Sequence, residues 1–175
     1  MIVEHISAED KKALKKLIKN YDIKSIFEIG TWEGATALFL MNQTNITKVK
    51  TIDIHRNMNV DYSHALHPLG GKDFYGKHIK DTNIIFEFCD SMKYIPTKIE
   101  QYDMVFIDGN HDYAHIKNDT ELAFKLKPKI IVWHDYGSPG NDDVLLFITE
   151  LQKQKRKIRI FNNCCIAYLE TKNEN

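Results

Sequence analysis

Four aspartates, Asp53, Asp90, Asp108 and Asp135, stand at or just past the ends of short apolar runs, KVKTIDI, NIIFEF, YDMVFID and KIIVWHD. Carboxylates gathered at one rim can bind hydroxyls, amines or cations, whereas each taken singly is equally a turn former or a helix cap. His111 follows Asp108 by three residues and His134 directly precedes Asp135. Imidazole is the side chain whose ordinary pKa lies near neutrality, so these positions suit proton transfer or metal ligation as well as plain hydrogen bonding. A third signal is FEIGTWEG, in which Gly30 and Gly34 bracket a turn between an apolar run and a helical pattern. Glycines there let backbone N–H groups at a helix N-terminus approach an anionic group. Asp53 follows about 20 residues on, where an acid accepts hydrogen bonds from a ribose diol, which points to an adenosine ligand. The dinucleotide fingerprint GxGxxG is absent, because Thr31, Trp32 and Glu33 separate the glycines. Glu28 sits immediately before the turn, where an ionised carboxylate repels a diphosphate and favours a cation. S-adenosylmethionine (SAM), with an ammonium and a sulfonium, fits that charge pattern better than a nicotinamide dinucleotide.

These groups need a frame that brings strand ends together. Ser7 with Asp10 makes a capping signal for AEDKKALKKLIKN, whose Leu14, Leu17 and Ile18 share one face. Strand readings follow at KSIFEIG, KVKTIDI, NIIFEF, YDMVFID and KIIVWHD, with apolar content typical of buried parallel strands. Helices are expected at ATALFLM, packed on both sides, at HIKNDTELAFKLK and at DDVLLFITELQKQKRK, while KIRIF and NNCCIAYLE read as a closing antiparallel hairpin. The alternation predicts an α/β fold with a doubly wound, mostly parallel, seven-stranded Rossmann-like sheet and a C-terminal hairpin, in one domain over 1–175. Ligand then sits beyond the carboxyl ends of the strands. Residues 56–80 lack periodicity and carry His64, His67, Tyr62, Phe74, Tyr75 and His78, so they read as a substrate-side insertion.

Composition excludes several classes. With 24 basic and 24 acidic residues in 175, no broad positive field exists to attract nucleic acid. A hydrophobic fraction of 43% is too high for a disordered chain. No apolar stretch reaches the roughly 18 residues a membrane span requires, and the first residues do not form a signal peptide, so a cytoplasmic protein is expected. Cys89, Cys164 and Cys165 lack CxxC spacing and read as reduced packing residues. The basic run KQKRK reads as a solvated face, with an anionic partner as the sharper alternative. A homodimer is compatible with the sequence.

EIGTWEG, TIDIH, CDSMKY, YDMVFIDGNHDY and IIVWHDY together resemble the successive motifs of class I SAM-dependent methyltransferases, most nearly the family 24 methyltransferase domain, related to the catechol-type O-methyltransferases. The resemblance spans about residues 24 to 137. It implies that Glu28, Gly30 and Gly34, with Thr31 in the same loop, hold the methionine part, that Asp53 holds the ribose, and that Asp90 and Ser91 hold the adenine edge. It implies further that Asp108, His134 and Asp135 bind a divalent cation and that His111 is the base, where relatives usually carry Lys. A His ligand moves the metal preference from Mg²⁺ toward Mn²⁺, Fe²⁺ or Zn²⁺.

The reading is therefore an enzyme, a SAM-dependent O-methyltransferase acting on a hydroxyl of a small molecule of sugar or phenolic type, assisted by a divalent metal. A SAM-binding or nucleoside-binding module without turnover is the alternative, and a nicotinamide oxidoreductase is disfavoured by Glu28. Trp133 is assigned to the core and His115 to a solvated helix face, while Tyr113 either lines the acceptor site or packs on the next helix. Acceptor selection is expected from residues 56–80 and from the rim Tyr136 to Asn141.

Overall fold

Alternation along the central strands decides the layering. The computed structural model describes residues 6–54 and 73–171. In β1 (Ser25–Ile29), Ile26 points to one side with Leu14, Leu17 and Leu40, and Phe27 to the other with Leu126 and Ile131. Likewise Met104 and Val105 of β4 (Met104–Ile107) enter opposite clusters. Strands buried on both faces thus carry α1 (Ala8–Asn20) and α2 (Ala35–Met41) on one side, and α3 (Tyr113–Lys125) and α4 (Asp142–Lys153) on the other. The remaining strands are β2 (Lys48–Asp53), β3 (Ile85–Phe88), β5 (Ile130–Trp133), β6 (Arg159–Ile160) and β7 (Ala167–Glu170).

The seven strands lie in the order β3-β2-β1-β4-β5-β7-β6, parallel from β3 to β5 and antiparallel at β7 and β6. The expected doubly wound sheet and closing hairpin are therefore present. The winding reverses between β1 and β4, so the loops that leave these strands part and open a crevice at their carboxyl ends.

Local chemistry sets the helix ends. Ser7 Oγ accepts the Asp10 N–H at 3.0 Å and Asp10 Oδ2 accepts the Ser7 N–H at 2.9 Å, the reciprocal capping box expected at α1. Three expectations need correction. β3 is an outer edge rather than a buried strand, with Ile85 half exposed, because among the described residues no further strand pairs with it. α2 buries Thr36, Ala37 and Leu40 on one side, while Phe39 lies under the ammonium groups of Lys11 and Lys15 at 5.5 and 5.7 Å. α4 ends at Lys153, before most of the basic run, and Arg156 then stacks over Phe124 at 5.0 Å. Among the described residues no helix is long and apolar enough to cross a membrane. Of the segment read as a substrate-side insertion, residues 56–72, including Tyr62, His64 and His67, lie outside the described residues.

Candidate functional site

The turn after β1 is held from three directions. Gly30 takes φ +97°, and a Cβ there would stand 2.1 Å from the Asp108 carbonyl oxygen, so only glycine lets the β1 and β4 ends come this close. Asp53, at the end of β2, accepts the Thr31 and Trp32 amide N–H groups on Oδ2 at 2.8 and 2.7 Å, and that of Ile54 on Oδ1 at 2.7 Å. Gly30 N–H donates to Ile52 O and Gly34 N–H to Thr31 O. Amides expected to face an anion are thus turned onto the protein itself, because the β2 carboxylate reaches the turn first. α2 is a single short helix of seven residues.

Beneath this turn lies Glu28, fully buried. Thr51, its register partner on β2, donates its hydroxyl to Glu28 Oε2 and shares a 2.6 Å contact with the Thr31 hydroxyl. Glu28 Oε1 has no hydrogen-bond partner among the described residues. Burial, reinforced by the charges of Asp108 and Asp53, raises its pKa well above the carboxylate range. Burial thus disfavours the ionised form in the free chain, and a cation placed beside the acid favours it. Burial also raises Asp53, to about 6, against the amides that favour its ionised form.

Residues 73–80 close over the same turn. Gly76 N–H donates to Trp32 O at 2.8 Å and His78 N–H to Glu33 O at 3.0 Å. Glu33 pairs with Lys77 and lies 3.2 Å from His78 Nε2. Trp32 meets Phe74 edge-on, with ring centroids 4.8 Å apart, and Tyr75 continues toward Phe88 at the end of β3. Phe74, Tyr75 and His78 thus belong to the wall beside Asp53.

Across the crevice, the ends of β4 and β5 bring four titratable groups together. His134 Nδ1 lies 3.0 Å from Asp108 Oδ1 and 3.2 Å from Asp135 Oδ2, while its Nε2 faces Asp10 Oδ2 of α1 at 3.5 Å. His111 Nε2 is 2.9 Å from Asp135 Oδ2. Burial alone would lower both imidazole pKa values, but the surrounding carboxylates raise them, Asp135 chiefly for His111 and Asp108 first for His134. Asp135 is driven the other way, below its ordinary range, by hydrogen bonds from both histidines against its burial. Its backbone is left-handed, φ +58°, a conformation that costs about 1 kcal/mol or more in a non-glycine residue and is held by its surroundings. One donor atom each of Asp108, His111 and Asp135 lies within 4.8 Å of the others, so the residues grouped for a cation differ from the expected Asp108, His134 and Asp135. His134 has both ring nitrogens facing carboxylates.

Asp90 and Ser91 stand on the far side of Asp53, tied to it by Cys89 N–H donating to Asp53 O at 2.9 Å. Asp90 caps the short 3-10 helix Ser91–Lys93 by accepting the Met92 N–H at 2.9 Å. Trp133 is in the core and donates Nε1–H to Thr120 Oγ1. Tyr113 packs on α4, edge to Phe147 and hydroxyl to Glu150, and His115 contacts Asp112. Gly140 and Asn141 line a cavity of about 160 Å³ with Asn110, His111 and Asp112, beside the acidic centre. Four contributors were not singled out from sequence: Thr51, Glu33, Asp119, and Asp10 in its contact with His134. Thr51 and Asp119 did carry a signal, since strand alternation and helical spacing from Ile116 put them at buried positions.

A family model described as a methyltransferase domain matches residues 27–136, more than half of the chain. No curated protein matches the sequence. Among solved structures, a chain assigned as a caffeoyl-CoA O-methyltransferase from Staphylococcus aureus superposes with a TM-score of 0.70 at 18% identity, covering 96% of this chain and 86% of that one. An O-methyltransferase from Bacillus cereus in complex with SAH (S-adenosylhomocysteine) gives 0.62 at 18%, covering 97% and 84%. TomG from Streptomyces achromogenes, an O-methyltransferase involved in tomaymycin synthesis and solved with SAM, gives 0.56 at 18%, covering 94% and 81%. At these identities the likeness is one of fold.

Proposed function

The chain belongs to the methyltransferase domain family, and from that premise we propose that it transfers a methyl group from SAM to a hydroxyl oxygen of a small molecule of sugar or phenolic type. One observation carries the choice of ligand. Glu28 is buried under the Gly30–Gly34 turn with Oε1 unpartnered among the described residues, and a donor-bearing cation completes it. The structural relatives solved with SAH and SAM agree with that choice.

When bound, SAM supplies a sulfonium methyl already activated for transfer, so holding and aligning are the work left to the chain. Glu28 would hold the amino-acid end with Gly30, Thr31 and Gly34. Asp53 would take the ribose on the lone pairs its amide contacts leave over. Asp90 and Ser91 would face the adenine edge. His111 takes the acceptor hydroxyl proton as the oxygen attacks, and Asp135, 2.9 Å away, stabilises the resulting imidazolium. Such a base contributes on the order of 10²–10⁴ in rate. His134 holds Asp108 and Asp135 in place.

A divalent cation is the second reading, favoured by the Asp108, His111 and Asp135 cluster. Two carboxylates and an imidazole suit Mn²⁺, Fe²⁺ or Zn²⁺ better than Mg²⁺, and the ion would supply charge to an acceptor alkoxide. His111 is then a ligand rather than the base.

Calorimetry with SAH and a methyl-transfer assay over sugars and phenols test both readings. Asp53→Ala is expected to weaken SAH about tenfold or more, the loss of charge-assisted hydrogen bonds; unchanged affinity refutes the ribose assignment. Activity that survives EDTA and Asp108→Asn removes the cation. Tight SAH binding with no turnover on any acceptor favours a binding module instead.

A further inference from the structure

Asp119 is a buried carboxyl group that the proposed chemistry leaves unused. It lies on α3, one turn beyond the first, and is 1% exposed. The Ser91 side chain hydrogen-bonds to it. Asn118 Nδ2 bridges the same two residues, donating to Asp119 Oδ1 at 3.2 Å and to the Ser91 carbonyl at 3.1 Å. On its other side the carboxylate faces the loop that carries Asp108. A Cβ at Gly109 would stand 3.5 Å from Asp119 Oδ2 and 3.3 Å from Ile29 Cγ2, so this loop packs directly on it. A carboxyl group placed here costs desolvation, and burial together with the charge of Asp90 raises its pKa to about 6. An apolar residue would fill the same position in a helix whose neighbours Ile116, Leu122 and Ala123 are core.

We propose that Asp119 is a positioning residue for the cofactor: it orients the Ser91 hydroxyl and thereby fixes the Asp90–Ser91 turn, at the adenine edge, relative to the loop bearing Asp108 and His111. The proposal rests on the SAM reading above. Asp90 to Met92 carries no regular helix or strand long enough to hold itself, and α3 supplies the rigid support. Because it acts by accepting hydrogen bonds, an asparagine with its amide oxygen on the Ser91 side replaces it in this role.

SAH titration calorimetry on Asp119→Ala, Ser91→Ala, the double variant and Asp119→Asn tests the idea, with melting temperatures measured alongside. Each alanine variant is expected to weaken SAH about tenfold. The double variant should be no weaker than the worse single, since both remove one contact. Asp119→Asn should stay within about threefold of wild type, and turnover at saturating SAM should change less than affinity does. Were Asp119→Ala to melt lower yet bind SAH as wild type does, the residue is core packing and the proposal fails. If that variant does not fold, Asn118→Ala replaces it, and unaltered SAH affinity in both Asn118→Ala and Ser91→Ala overturns the role. A wild-type protein that binds no SAH refutes the reading of the site itself, whereas wild-type binding that these variants leave untouched refutes Asp119 alone.

Discussion

A buried acid with a raised pKa makes a signed statement about stability. Asp119 titrates near 6 in the folded chain, against about 3.9 when unfolded. Stability tied to this group is therefore complete below about pH 4 and is lost as pH rises through 6, because the unfolded chain ionises it more easily. Asp119→Asn removes that loss. It is expected to leave stability unchanged near pH 4.5 and to increase it at pH 8 relative to wild type by on the order of 1–3 kcal/mol, read as a higher melting temperature. Melting curves across this range check the sign, and a variant that is less stable at pH 8 contradicts it. Glu28 is shifted the same way by its burial, and its unpartnered Oε1 gains a partner when a cation arrives. Its type and position before Gly30 were legible in the sequence, but its complete burial and its contact with Thr51 of β2 were not, since they depend on strands that pair only in the folded sheet.

At the scale of elements, the stretch from Tyr94 to Asp103 shows how an irregular segment is held. Lys50 of β2, 14% exposed, places Nζ 2.7 Å from the Tyr94 hydroxyl, 2.9 Å from Glu87 and 3.4 Å from Glu100. Tyr94 and Tyr102 hydroxyls also donate to Glu100 at 2.7 and 3.2 Å. One ammonium thus ties the β3-to-β4 connection to the sheet. Lys50→Met leaves Glu100 charged and half-enclosed without its cation, so it is expected to cost about 2–4 kcal/mol, seen as a melting temperature lower by roughly 5–15 °C. Adding Glu100→Gln should recover part of that loss; a double variant as unstable as the sum of the singles argues against the network. The strands that flank it were readable from their apolar runs. Their linker was not, because its order comes from ion pairs between residues tens of positions apart rather than from a repeating pattern.

For the molecule as a whole, ligand that binds the folded state adds to its stability. At a concentration one hundred times its Kd, SAH is expected to contribute about 2.7 kcal/mol and to raise the melting temperature by roughly 5–10 °C, whereas NADH should not move it. The reverse result contradicts the ligand assignment. The sequence alone determined the alternation of strands and helices, the acids at strand ends, the glycine turn and hence the rim where a ligand sits, because periodicity of two and of 3.6 and the conformational freedom of glycine are properties of neighbouring residues. Tertiary structure decided what those groups do once assembled. It turned the Asp53 carboxylate onto the Thr31 and Trp32 amides, set His134 between Asp10 and the pair Asp108 and Asp135, brought His111 to Asp135, and placed Asp119 against Ser91. Side-chain direction, burial and protonation follow from elements that meet only when the sheet closes, and no local pattern encodes them.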